Sequence, residues 1–218
     1  MEKSIETIWK EGFLENDALI APKINNLYTQ KSIDIVEKFR KMYKINRIGI
    51  ILFAIIILPI SFISKIPYMG ISMAFLFLII SIIANKFSKQ LDTISKNVSS
   101  YEYLTSFDKW TKNLTETNTK LSRFLYPYVF ITMIFSFWFG EIGGDVPGDK
   151  FVKAFINKFP DTYLILDFPL IFILFFIGMI GFLAYFGGKI GEFDLKLGYG
   201  RILKKLEVLL ADMEDLRK

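Results

Sequence analysis

Neither cysteine nor histidine occurs anywhere in the 218 residues. Without cysteine there can be no disulfide, no thiolate metal site and no cysteine nucleophile. Without histidine the commonest general base and the commonest zinc ligand are gone as well. Chemistry would have to rest on Ser, Thr, Tyr, Lys, Asp or Glu, and the motifs that organise such residues are also missing. No H-E-x-x-H is possible, no G-x-S-x-G surrounds a serine, and "FGGKIG" holds its glycines and lysine at the wrong spacing for a phosphate-binding loop. The expectation is a protein that is not an enzyme and has no cofactor or metal.

Charge is absent from four long windows, residues 48–64, 66–85, 124–140 and 168–188. At about 1.5 Å per residue these reach roughly 25 to 32 Å, the thickness of a hydrocarbon core. What fills them is apolar: 52% of the chain is hydrophobic, 23 residues are Phe, and mean hydropathy is +0.38. Four membrane spans are expected. Proton relays and ion carriers normally place carboxylates, arginines or histidines inside their spans; these windows have none, and their main polar groups are the small Ser61, Ser72, Ser81, Thr132 and Ser136. The charged start "MEKSIETIWKEGF" does not read as a signal peptide.

Lys and Arg alternate along the chain. There are 9 in residues 1–47, 1 at Lys65, 7 in 86–123, 3 in 141–167 and 7 in 189–218. By the positive-inside rule both termini and the central segment lie in the cytoplasm, with Lys65 and the 141–167 loop outside. The net charge of +5 is spread over segments that also carry most of the acids. It reads as topology and contact with anionic lipid, and no nucleic-acid partner is expected. The turn "SKIP" connects the first two spans, with Pro67 suited to a helix start.

The charged segments keep a helical rhythm. Phe107, Trp110, Leu114, Thr117, Leu121 and Phe124 step by 3 and 4, as do Leu195, Tyr199, Ile202, Leu206, Leu209, Met213 and Leu216, with Lys204, Lys205, Glu207 and Asp212 to the other side. Ile35, Phe39, Met42 and Ile45 extend a seam from a helix start near Pro22 into the first span, and Leu91, Ile94, Val98 and Tyr101 follow the second. Ser99 and Glu102 form a capping box, which makes residues 86–123 a helical hairpin turning near Asn97. The fold expected is an all-α membrane protein whose four transmembrane helices continue into a cytoplasmic helical bundle. The divisions are an N-terminal amphipathic segment, 1–21, and the membrane bundle, 22–218.

Three features stand apart from the seams. Ile5, Ile8, Trp9 and Phe13 form an apolar stripe suited to a protein groove or to the lipid surface. The loop "GEIGGDVPGDK" carries Glu141, Asp145 and Asp149 without the spacing of a calcium loop, so a solvated turn is expected, followed by an interfacial helix through Phe151, Val152, Phe155, Ile156 and Phe159. Gly178, Gly181, Ala184, Gly188 and Gly191 step along one face of the fourth span, a pattern that lets two helices approach closely.

With "IWKEGF", "APKINNLY", "YEYLTSF" and "LKKLEVLLADMEDL" in place, the whole chain resembles a group of small bacterial four-span membrane proteins that share such segments and have no assigned activity. The resemblance implies a multi-pass protein of the bacterial inner membrane, loosely similar to membrane-bound regulators that hold a transcription factor. The functional expectation is a non-catalytic membrane-anchored regulator or scaffold that contacts a cytoplasmic protein partner. The alternative is a small pore or carrier assembled as a homo-oligomer. Membrane lipid is a partner in either case.

Overall fold

The computed structural model describes the backbone of residues 5–141 and 145–215 and the side chains of residues 28–141 and 145–215. Within them lie five helices, α1 (Ile5–Ile63), α2 (Pro67–Asp92), α3 (Ser100–Phe139), α4 (Pro147–Lys158) and α5 (Leu170–Asp215). A short antiparallel pair, β1 (Leu164–Ile165) and β2 (Phe168–Pro169), stands before α5. Helices α1, α2, α3 and α5 are each long and apolar enough to cross a membrane. α1 runs unbroken through Pro22, where the sequence pattern pointed to a helix start.

The turns follow local rules. α1 ends in a Schellman motif: Ile66 N–H donates to the Ser61 carbonyl at 2.9 Å and Lys65 N–H to that of Phe62 at 3.2 Å, with Lys65 left-handed at φ 57°. Pro67 then opens α2 at a position where no N–H is needed. Ser99 caps α3, its side chain accepting from Glu102 N–H at 3.3 Å. The fourth apolar run begins differently from expectation. Phe168 and Pro169 belong to β2, paired with β1 across Leu166 and Asp167 at φ 50° and 61°, so α5 starts only at Leu170. Positive φ at both central residues is the mark of a tight two-residue hairpin, and a continuous apolar run cannot by itself tell such a strand from a helix.

α1 packs most extensively on α2, and α3 on α5. Where the helices carry charge, the four enclose a core of Val36, Phe39, Phe87, Leu91, Tyr103, Leu104, Phe107, Trp110, Tyr199 and Leu206, among others. Phe39 is its hub, with ring centroids 5.3 Å from Phe107, 5.4 Å from Trp110 and 4.7 Å from Tyr199. This is the polar end of the molecule. The expected seams partly hold there. Ile35 and Phe39 are buried, but the next inward residue is Tyr43, while Met42 and Ile45 are exposed. On α3 the seam holds from Phe107 to Leu114 and has left the core by Phe124, which is exposed. Val98 is likewise exposed, and Leu216 lies outside the described residues.

Three side chains dock α2 against its neighbours through its own carbonyls. Tyr43 Oη donates to Ala84 O at 3.3 Å, Trp110 Nε1 to Phe87 O at 3.2 Å and Arg40 Nη2 to Leu91 O at 3.3 Å. Positions 84, 87 and 91 are spaced by 3 and 4, so the acceptors share one face of α2. Arg40 also pairs with Glu37 at 2.6 Å and Asp92 at 3.2 Å, and Lys96 closes the cluster onto Glu37 at 2.6 Å. A guanidinium at the last turn of α2 suits the negative end of the helix dipole.

Candidate functional site

Beside the core, α1 and α5 leave a groove of about 600 Å³ at the polar end. Ile35 and Leu209 form its floor and are buried, while Val208 on its wall is 54% exposed. Lys31, Arg201, Lys204 and Lys205 line it against Asp34 and Asp212. Within the described residues none of the four cations takes part in an ion pair, and Asp34 is drawn away to Lys38 at 2.8 Å. The groove thus offers an apolar strip framed by unneutralised positive charge. Its α5 side arises because Arg201, Lys204, Lys205, Val208 and Asp212 recur at helical spacing beside the buried Leu206 and Leu209.

A second space, about 210 Å³, lies where the charged and uncharged parts of all four long helices meet. Tyr43 and Asn46 from α1, Ala84 from α2, Asn118 from α3 and Asp194 and Tyr199 from α5 border it. Its polar groups are largely committed: Asn46 Nδ2 donates to Tyr199 Oη at 3.1 Å, Asn118 Nδ2 to Gly191 O at 2.9 Å, and Tyr126 Oη to the Asp194 carboxylate. Such an arrangement locks the bundle at its waist more than it offers donors to a ligand.

The glycine face of α5 requires correction. Gly188 and Gly191 do pack on α3. A Cβ at Gly188 would stand 3.0 Å from Thr119 Cγ2, and one at Gly191 would overlap the Ser122 side chain. Gly178 and Gly181 have nothing within 4 Å, and Ala184 is exposed. The close approach instead includes Gly187, whose Cβ would come within 2.8 Å of the Ser122 carbonyl oxygen. α3 receives this contact with small groups: Thr115 and Thr119 each return their hydroxyl to the carbonyl four residues earlier, at 2.9 and 2.8 Å. Of the five small residues at steps of 3 and 4, only Gly188 and Gly191 face α3; the stretch with Gly178, Gly181 and Ala184 meets α3 through larger side chains instead, with Phe176 5.4 Å from Trp138.

Ile5, Ile8, Trp9 and Phe13 have side chains outside the described residues, although Ile5 onward is helical backbone. In the 141–167 connection Asp145 pairs with Lys150 at 2.5 Å, and among the described residues no group of three or more acids converges as a metal site. Ser61 bonds to the Leu58 carbonyl at 2.7 Å and lies against Gly70, where α1 and α2 nearly touch. Ser72 instead reaches across to Tyr128 Oη at 2.6 Å and Thr132 Oγ1 at 3.1 Å, tying α2 to α3.

Comparison of the chain with known protein families, characterised proteins and solved structures finds no match.

Proposed function

We propose that this protein is a non-catalytic, membrane-anchored regulator or scaffold of the bacterial inner membrane, with both termini and the polar end in the cytoplasm. In this reading the four apolar segments hold the chain in lipid and the polar end recognises a protein. The observation that carries it is the α1–α5 groove, an apolar strip edged by Lys31, Arg201, Lys204 and Lys205 without ion-pair partners among the described residues. That combination suits an acidic amphipathic helix laid along the groove. The stripe of Ile5, Ile8, Trp9 and Phe13 supplies a second contact, to the same protein or to the lipid surface. The basic counts of the sequence support the orientation.

A small oligomeric pore or carrier is the second reading. It is favoured by the unpacked face of Gly178, Gly181 and Ala184, on which another copy could seat.

Crosslinking and affinity capture from native membranes separate the two. A Lys204→Glu/Lys205→Glu variant is expected to weaken capture of a stoichiometric soluble protein by about tenfold or more, roughly 1.4 kcal/mol, while membrane insertion is unchanged. Trp9→Ala tests the N-terminal stripe in the same assay. Unchanged capture together with solute flux through reconstituted vesicles would overturn the regulator. For orientation, an impermeant thiol reagent is expected to label Asp145→Cys in intact spheroplasts and Ser99→Cys only after lysis; the reverse order would invert the topology.

A further inference from the structure

At the end opposite the polar core, α3, α4 and α5 surround a cavity of about 620 Å³. Its walls come from two long helices, Ile134, Phe137 and Trp138 on α3 and Ile171 and Phe175 on α5, and Phe151 of α4 closes one side. The aromatic walls brace one another. Phe151 lies 6.1 Å from Phe137 and 5.2 Å from Phe172, while Trp138 lies 5.4 Å from Phe176. Gly148, at the start of α4, sits so close to the Trp138 indole that a Cβ there would be 2.8 Å away, which fixes α4 over the span ends.

The cavity is of the size of a ligand pocket, which runs from about 300 to 1,000 Å³. Every lining side chain is apolar or aromatic, and the Trp138 indole N–H is the one side-chain donor among them, too little to solvate a polar solute. Its surroundings are the exposed residues Phe135, Phe139, Ile171, Leu174 and Phe175, the kind of surface a span presents to hydrocarbon. Hydrocarbon at its mouth gains dispersion contacts on three sides by entering, against one side on an open helix face.

The helix that closes the cavity is itself charged. α4 carries Lys150, Lys153 and Lys158 against one acid of its own, Asp149. Lys150 is taken up by Asp145, whereas Lys153 and Lys158 are exposed and form no ion pair among the described residues. A lysine near a membrane surface favours an anionic headgroup. The indole N–H of Trp138 makes no hydrogen bond within the described residues and is placed, beside Gly148, at the level where span meets surface helix. There it can donate to an ester carbonyl, the usual use of an interfacial tryptophan.

We infer that this cavity is a specific site for one anionic phospholipid, with an acyl chain between α3 and α5, the headgroup against Lys153 and Lys158, and Trp138 at the ester level. This site is independent of the partner proposed for the polar end. It gives α4 a function that a solvated connection would lack: a clamp over a bound lipid.

The test uses the full chain in phosphatidylcholine vesicles, titrated with phosphatidylglycerol brominated on its acyl chains. The readout is the tryptophan quenching that is lost in Trp138→Phe, a change that keeps an aromatic wall. That component is expected to saturate at low mole fraction, with a preference of about tenfold over brominated phosphatidylcholine. Ile171→Phe, which fills the cavity, should abolish saturation, and Lys153→Glu/Lys158→Glu should abolish the headgroup preference. Native mass spectrometry of protein extracted from its own membranes should retain one anionic phospholipid per chain, and lose it in Ile171→Phe. Quenching that rises only in proportion to mole fraction, equally for both headgroups, would overturn the site, as would retention of the lipid in the filled variant.

Discussion

The same four helices behave oppositely at their two ends. At the polar end Phe39, Leu104 and Phe107 are 0% exposed and their rings and branches interlock. In the apolar windows only 11%, 22%, 22% and 6% of residues are buried in α1, α2, α3 and α5. Leu174, Ile177, Phe182 and many others face outward there. In water such a surface would cost about 25 cal/mol for each Å² of apolar area exposed, so its natural surroundings are hydrocarbon. Hydrophobic residues are thus used in two ways along one helix. They fill a core where the outer face is charged, and they form the outer face where charge is absent.

The difference also decides what holds each end together. Burial of apolar surface drives packing in the polar part. In lipid that driving force vanishes, and close backbone approach and interhelical hydrogen bonds take over. The Ser61–Gly70 contact and the Ser72–Tyr128–Thr132 cluster are of this second kind.

The largest effect that would sharpen the contrast is expected from Phe39→Ala, which empties the hub of the aromatic core. It should cost about 3–5 kcal/mol, read as a lowered thermal midpoint in detergent, whereas Leu174→Ala on the outward face should stay within about 0.5 kcal/mol. Equal losses would break the comparison. Next come the glycines of α5. Gly187→Leu or Gly191→Leu should destabilise by about 1–3 kcal/mol through overpacking against Ser122, and Gly181→Leu should leave the midpoint unchanged. A loss at Gly181 equal to that at Gly191 would mean that Gly181 also packs against a neighbouring helix. Arg40→Ala removes the tie between α1 and the last turn of α2 and should cost about 1–3 kcal/mol, with faster hydrogen exchange at the end of α2 as its signature. The smallest effect, about 1 kcal/mol, belongs to Ser99→Ala, which uncaps α3.

Much of the architecture was legible before the fold was known. Uncharged runs announced the four long helices, Pro67 and Lys65 announced the turn, and Ser99 with Glu102 announced the start of α3. These signals are local, each contained in one contiguous stretch of sequence. What misled was the phase of a pattern over many turns. Adjacent residues on a helix are about 100° apart, and the buried face of α1 runs through Ser32, Ile35, Val36, Phe39 and Tyr43, which leaves Met42 at its edge and outside. The glycine contact failed for a related reason, because steps of 3 and 4 define a face without saying which part of it a neighbour covers. The groove between α1 and α5 was hidden differently. Lys204, Lys205 and Asp212 looked like an ordinary solvated face, and only their meeting with Lys31 across Ile35 makes a surface of them. Likewise the outer cavity needs Phe151, Phe137 and Ile171, three residues from three elements, whose juxtaposition has no sequence period.

The central claim, that one set of helices is a water-facing bundle at one end and lipid-facing at the other, is tested most directly along α5. Single cysteines can be introduced without background, since the chain has none. Spin labels at Leu174→Cys and Phe182→Cys should collide with oxygen and be shielded from a water-soluble nickel chelate, and labels at Lys205→Cys and Val208→Cys should show the opposite. A uniform ratio of the two collision rates from position 174 to position 208 would contradict the account.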